Sequence, residues 1–158
     1  MKKPAFYLAF AAMLLMFSCG QGTKDNKQAE QARKDSLIKN SCFIAVDGKD
    51  TANLKIKTLD NGKVTGALVI NYLDKGKNDG LLEGKFSGDT LFADYTFKIG
   101  KTNPTVYKNP LAFLKKDGKM ILGVGQIETN LGKSYFVKGK PISFEKGRFT
   151  FSPQDCKD

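Results

Sequence analysis

The chain has 158 residues, 26 basic against 16 acidic, with three cysteines and no histidine. The lack of histidine excludes Ser-His-Asp hydrolysis, Cys-His catalysis and histidine-ligated metal centres, and the length suffices for one modest domain beside a targeting segment. The formal charge of +10 is uneven: Cys19 to Phe97 holds 12 basic and 11 acidic residues, Lys98 to Asp158 holds 12 and 5.

The first segment, Met1 to Ser18, has the three parts of an export signal. Lys2 and Lys3 form the positive start, Ala5 to Phe17 the apolar stretch, and the small Ser18 precedes Cys19. Thirteen apolar residues are too few to span a bilayer core, which needs roughly 20 in a helix, and the polar run Gly20 to Lys27 offers no extension. Met16, Phe17 and Ser18 resemble a bacterial lipobox of the looser, Bacteroidetes type, since the strict motif prefers Leu, a small residue and then Gly or Ala. The segment therefore reads as a lipoprotein signal, with Cys19 as lipid-attachment site and first residue of the mature chain; an ordinary secretory signal with a coincidental cysteine is the alternative. Acyl chains on Cys19 would supply several tens of methylenes at about 0.8 kcal/mol each, enough to make release from a membrane negligible.

From Cys19 to Asn40 the chain is polar and rich in Gly, Gln, Lys, Asp and Ala, with its first aliphatic pair at Leu37 and Ile38. Asp25 to Ile38 contains good helix formers but no sustained apolar face, so residues 19–40 read as a lipid-anchored flexible tether. The folded domain is expected over residues 41–158.

From Ser41 onward short β-prone runs alternate with turn clusters at the spacing of an all-β sandwich or barrel. Asp47-Gly48, Asp60-Asn61-Gly62, Lys77-Asn78-Asp79-Gly80, Ser87-Gly88-Asp89, Asp117-Gly118 and Asn130-Leu131-Gly132 each supply residues that accept tight-turn geometry. Thr90 to Ile99 alternates cleanly, with Leu91, Ala93, Tyr95, Phe97 and Ile99 on one face and Phe92, Asp94, Thr96 and Lys98 on the other. Leu82, Gly84 and Phe86 likewise oppose Glu83 and Lys85. Gly66, Gly84 and Gly123 fall inside expected strands, where glycine marks coiling of a sheet. That favours a small antiparallel, up-and-down (lipocalin-like) β-barrel over a sandwich, and the phenylalanines that follow the signal, nine of the chain's 12, suffice to fill its core.

Export places Cys42 and Cys156 in an oxidising compartment, where they are expected to form a disulfide across nearly the whole domain. Two reduced, buried thiols or a metal site are the other readings, and the metal is disfavoured because two sulfurs without a histidine leave only carboxylates to complete a tetrahedral shell. With Cys19 acylated, no thiol would remain for catalysis.

Lys63-Val-Thr-Gly-Ala-Leu, Gly80-Leu-Leu-Glu-Gly-Lys-Phe-Ser-Gly-Asp-Thr-Leu-Phe-Ala-Asp-Tyr-Thr-Phe and Ala112-Phe-Leu-Lys-Lys, together with Cys42 and Asp155-Cys156-Lys157, resemble small Bacteroidetes-type lipoproteins. The resemblance covers most of Ser41 to Asp158 and rests on structural punctuation. It implies a lipid-anchored, lipocalin-like or calycin-like β module and carries over no functional residues.

Chemistry is sparse. Glu83 and Asp94 are the best candidate acid–base pair, because they fall on adjacent strands, but both are expected on the outward face. Most other acids sit at turns. Asp47-Gly48-Lys49-Asp50 looks like the start of a calcium loop but lacks the spaced downstream ligands, and reads as a turn. No catalytic residue, metal site or cofactor is therefore assigned. Two non-enzymatic readings remain: an anchored barrel holding a small apolar ligand, or an interaction module such as an envelope assembly factor or a hydrolase (lysozyme-type) inhibitor. The second would use the basic half, especially the loop Gly100 to Pro110 with Lys101, Tyr107 and Lys108. A nucleic-acid partner is not expected, since no recognition motif accompanies the lysines. The expected location is the cell envelope, on the outer membrane facing the periplasm, with surface exposure as the alternative.

Overall fold

A computed structural model describes residues 39–156. The export signal, Cys19 and the tether up to residue 38 lie outside the described residues. Among those described there is no helix. Ten strands form: β1 (Lys39–Asp47), β2 (Asp50–Thr58), β3 (Lys63–Tyr72), β4 (Gly76–Ser87), β5 (Thr90–Ile99), β6 (Tyr107–Lys116), β7 (Lys119–Leu122), β8 (Ile127–Asn130), β9 (Lys133–Phe136) and β10 (Thr150–Gln154). Eight close into a barrel in the order β1-β10-β7-β6-β5-β4-β3-β2, while β8 and β9 pair only with each other. The topology is an antiparallel meander with one insertion, residues 123–149, before its last strand. Because β1 starts at Lys39, the last two residues assigned to the tether belong to the barrel.

Period-two alternation builds the core. Inward positions are Phe43 and Ala45 on β1, Ala52, Leu54 and Ile56 on β2, and Leu91, Ala93, Tyr95 and Phe97 on β5, all buried, while Lys57, Glu83 and Lys98 are exposed. This is the reverse of a membrane-spanning barrel, whose lipid-facing side is apolar. Phe113 on β6 and Phe151 on β10 meet edge to face, their centroids 5.7 Å apart. Tyr95 stacks on Phe97 at 4.6 Å, and its hydroxyl crosses the interior to donate to the Leu68 carbonyl at 2.8 Å. Burial raises the Tyr95 phenol far above its ordinary pKa, so it stays a donor.

Small residues opposite large ones make this packing possible. Gly80 on β4 lies in register with Phe97, and Gly84 with Ala93. A Cβ at Gly80 would run into the Thr96 carbonyl oxygen and Phe97, and one at Gly84 into the Phe92 carbonyl oxygen. The missing side chains let β4 and β5 coil closely enough to bring Tyr95 and Phe97 together over the axis.

Five of the six expected turns form. Lys77-Asn78-Asp79-Gly80 does not: all four residues lie within β4. The chain reverses instead between Tyr72 and Gly76, which are paired in register, with Gly76 at φ +80°. The Asn-Asp-Gly run serves the sheet. Asp79 pairs with Lys77 at 2.6 Å on the outside, and Gly80 provides the close approach. Gly123, expected within a strand, lies just past the end of β7.

At Asn130-Leu131-Gly132 the turn is of the tight, primed hairpin kind. Leu131 at φ +51° and Gly132 at φ +76° are both left-handed. A leucine there costs about 1–2 kcal/mol relative to glycine, because its Cβ crowds the following carbonyl.

Candidate functional site: the open end of the barrel

The two ends of the barrel differ. At the closed end Arg148, near the end of the 123–149 insertion, grips the β1–β2 hairpin. Its Nε donates to Asp47 Oδ2 at 2.6 Å and its Nη2 to Asp50 Oδ2 at 2.7 Å. The guanidinium also lies 5.6 Å from the Phe149 ring centroid, and Phe149 plugs that end of the core, 2% exposed. Asp50 Oδ1 accepts the Leu73 backbone N–H at 2.9 Å, tying in the β3–β4 turn. The calcium-like run Asp47-Gly48-Lys49-Asp50 is thus a hairpin turn whose two carboxylates hold an arginine. The Leu73 amide, with the Arg148 guanidinium second, keeps Asp50 below its ordinary pKa.

That shift gives a pH dependence with a definite sign. A carboxylate whose pKa is lowered by folding stabilises the fold above its unfolded pKa, about 3.9, and loses that contribution as pH falls through the lower folded value. Acidification below about pH 4 is therefore expected to free the closed end, read as faster exchange of the Leu73 amide, which Asp50 holds, than of amides in the mid-barrel. Uniform protection down to global unfolding would contradict it.

The opposite end is open. Here the chain enters at Lys39, and a cleft of about 340 Å³ sits between the start of β1, the end of β2, the β4–β5 turn and the β6–β7 hairpin. Phe43, Ile56, Phe86 and Met120 form its apolar floor, and Lys39, Lys115, Asp60 and Asp89 stand around it. Phe43 and Ile56 are the outermost large inward side chains of β1 and β2. Both, like Met120, are buried, and Phe86 is half-buried, so the core ends here in an apolar floor with a charged rim. The volume is at the lower end of small-molecule sites, about 300–1,000 Å³. Below it the barrel is solid: Phe113, Phe151, Leu54, Leu68, Leu82 and Leu91 are all at most 1% exposed.

The candidates named from sequence separate accordingly. Phe86 lines the cleft, whereas Tyr95 and Phe97 fill the interior below it. Glu83 and Asp94 are direct cross-strand neighbours, on the outer face as expected. Asp94 is engaged by Lys108 Nζ at 2.8 Å, and that hydrogen bond raises the lysine's pKa. The interaction loop expected over Gly100 to Pro110 is shorter, because Tyr107 to Pro110 belong to β6. Tyr107 stacks on Phe97 at 5.5 Å and Lys108 is held by Asp94, which leaves Gly100 to Val106 outside the strands. Cys42 and Cys156 are joined, with Cα atoms 5.2 Å apart. Neither Ile56 nor Met120 was singled out from sequence. Their signal is positional: inward parity near a strand end beside a hairpin.

Comparison of the chain with protein-family models, with curated proteins and with solved structures gives no match.

Proposed function

We propose that this chain is a non-enzymatic envelope lipoprotein, anchored through Cys19, whose barrel binds a small apolar or amphipathic ligand at its open end. The observation that carries the reading is the cleft floored by Phe43, Ile56, Phe86 and Met120. Phe86 is only half-buried at this floor, so the free energy of burying its remaining apolar surface, about 25 cal/mol per Å², is not realised until something covers it. A ligand with an apolar body recovers that term, and Lys39 and Lys115 can meet a polar or anionic head. The solid interior argues against a ligand threaded along the barrel axis. The ligand instead rests on the end of the core, with its head at the rim.

Ser41 lies in the cleft wall, on the inward parity of β1 and half-buried. Ser41→Trp fills the space while leaving the packed layers beneath untouched. Binding of a single-chain fluorescent amphiphile, below its micelle concentration, is expected to weaken at least tenfold in this variant with the unfolding midpoint retained. Equal affinity in the variant and the parent protein would contradict the assignment.

A further inference from the structure

The charged residues at the cleft rim come in two couples of opposite sign, and neither couple closes. Lys39 and Lys115 continue the inward parity of Phe43 on β1 and Phe113 on β6, so both side chains leave their strands on the side of the apolar floor. Each lysine has an aspartate for a neighbour. The Lys115 amide donates to the Asp89 carbonyl at 2.8 Å, and Lys39 lies in register with Thr58, two residues before Asp60. In the closed strand order the β1–β2 and β5–β6 seams are four strands apart in either direction, which puts one lysine–aspartate couple on each side of the floor. All four residues line the cleft and are exposed. Among the described residues none of the four forms an ion pair, whereas Asp47, Asp50, Asp79 and Asp94 elsewhere on the barrel are each held by a cation.

A tail that covers Phe86 and the floor beside it holds its head among two ammonium and two carboxylate groups. A purely anionic head meets both carboxylates there and a purely cationic one both ammonium groups, and like charges brought together at a partly dry site are disfavoured. A neutral head leaves all four without a partner. A head that carries both signs pairs with lysine and aspartate at once. Resting on the cleft assignment above, we propose that the ligand is a single-chain amphiphile with a zwitterionic head, its anionic group held by Lys39 and Lys115 and its ammonium by Asp60 and Asp89. The tail supplies affinity through buried area, and the rim selects among heads.

Calorimetry on the full chain, with four amphiphiles of equal tail length kept below their micelle concentrations, separates head from tail: lauroyl lysophosphatidylethanolamine, laurate, dodecylamine and monolaurin. The zwitterion is expected to bind at least about tenfold more tightly than the other three. With Asp60→Asn and Asp89→Asn together the preference should pass to laurate, and with Lys39→Gln and Lys115→Gln together to dodecylamine, a reversal that loss of a merely structural contact does not produce. Laurate binding best to the parent chain, or a ranking of heads that both double variants leave unchanged, overturns the proposal. Equal binding of all four overturns it while leaving the cleft assignment standing, whereas binding of none removes both.

Discussion

Replacing Cys42 and Cys156 together by alanine is expected to cost the barrel about 4 to 5 kcal/mol. The bond spans 114 positions of sequence, so in the chain-entropy account its loss frees nearly the whole unfolded domain. Its place in the barrel adds to the effect. β10 pairs with β1 at Cys42, Phe43 and Ile44 and with β7 at Thr150 and Phe151, which makes it the most briefly held barrel strand. Pro153 lies in its short ladder with β1 and brings no backbone donor. The disulfide fastens the β1 side of this briefly held strand. With an m-value of about 1–2 kcal/mol/M, the urea midpoint should fall by about 2–5 M in the double variant. A fall under about 0.5 M would mean that the packing of Phe151 alone keeps the barrel closed.

Phe113→Ala is expected to be nearly as damaging, at about 3–5 kcal/mol. The ring is fully buried, meets Phe151 edge-on at 5.7 Å, and lies in register with Leu91 on β5 and Leu122 on β7. Truncation leaves a void between strands whose positions are fixed by ladders on both sides, so the walls cannot collapse inward. Phe113→Leu, which keeps most of the volume, should cost about 1 kcal/mol. Denaturant unfolding of the two variants checks the pair of values. Similar small losses would show a loosely packed centre, and the account of the interior as solid would fail with it. Since a domain of this size has about 5–15 kcal/mol in total, either large change brings it near its limit.

Alternation on Thr90 to Ile99 and on Leu82 to Phe86 made the inner face readable from sequence, because a period of two has only one way to place five apolar residues together. Turn chemistry was nearly as legible. It misled at Lys77 to Gly80 because glycine has two uses: Gly80 is needed for close approach under Phe97, and its neighbours Asn78 and Asp79 carry the same composition as a turn. The disulfide was legible as an expectation from the position of the two cysteines at the ends of the domain, and the structure joins Cys42 and Cys156 across the closing seam.

Sites made by distant segments were not legible. Arg148 and Asp47 are separated by 101 positions, and nothing local to either marks the pairing. The cleft draws on Phe43, Ile56, Phe86 and Met120, one residue from each of four strands. Only barrel closure puts them on one floor. The length of β6 was likewise hidden, since Asn-Pro at 109–110 reads as loop chemistry. In the barrel Pro110 faces outward in register with Asp94 and is buried there.

The cleft is tested most directly by following backbone amide resonances during titration with a single-chain amphiphile kept below its micelle concentration. The account predicts saturable shifts at Ser41, Phe43, Ile56, Leu59, Phe86 and Met120, with Leu73 and Arg148 at the other end unmoved. Shifts concentrated at the closed end, or none at the cleft while the barrel remains folded, would contradict it.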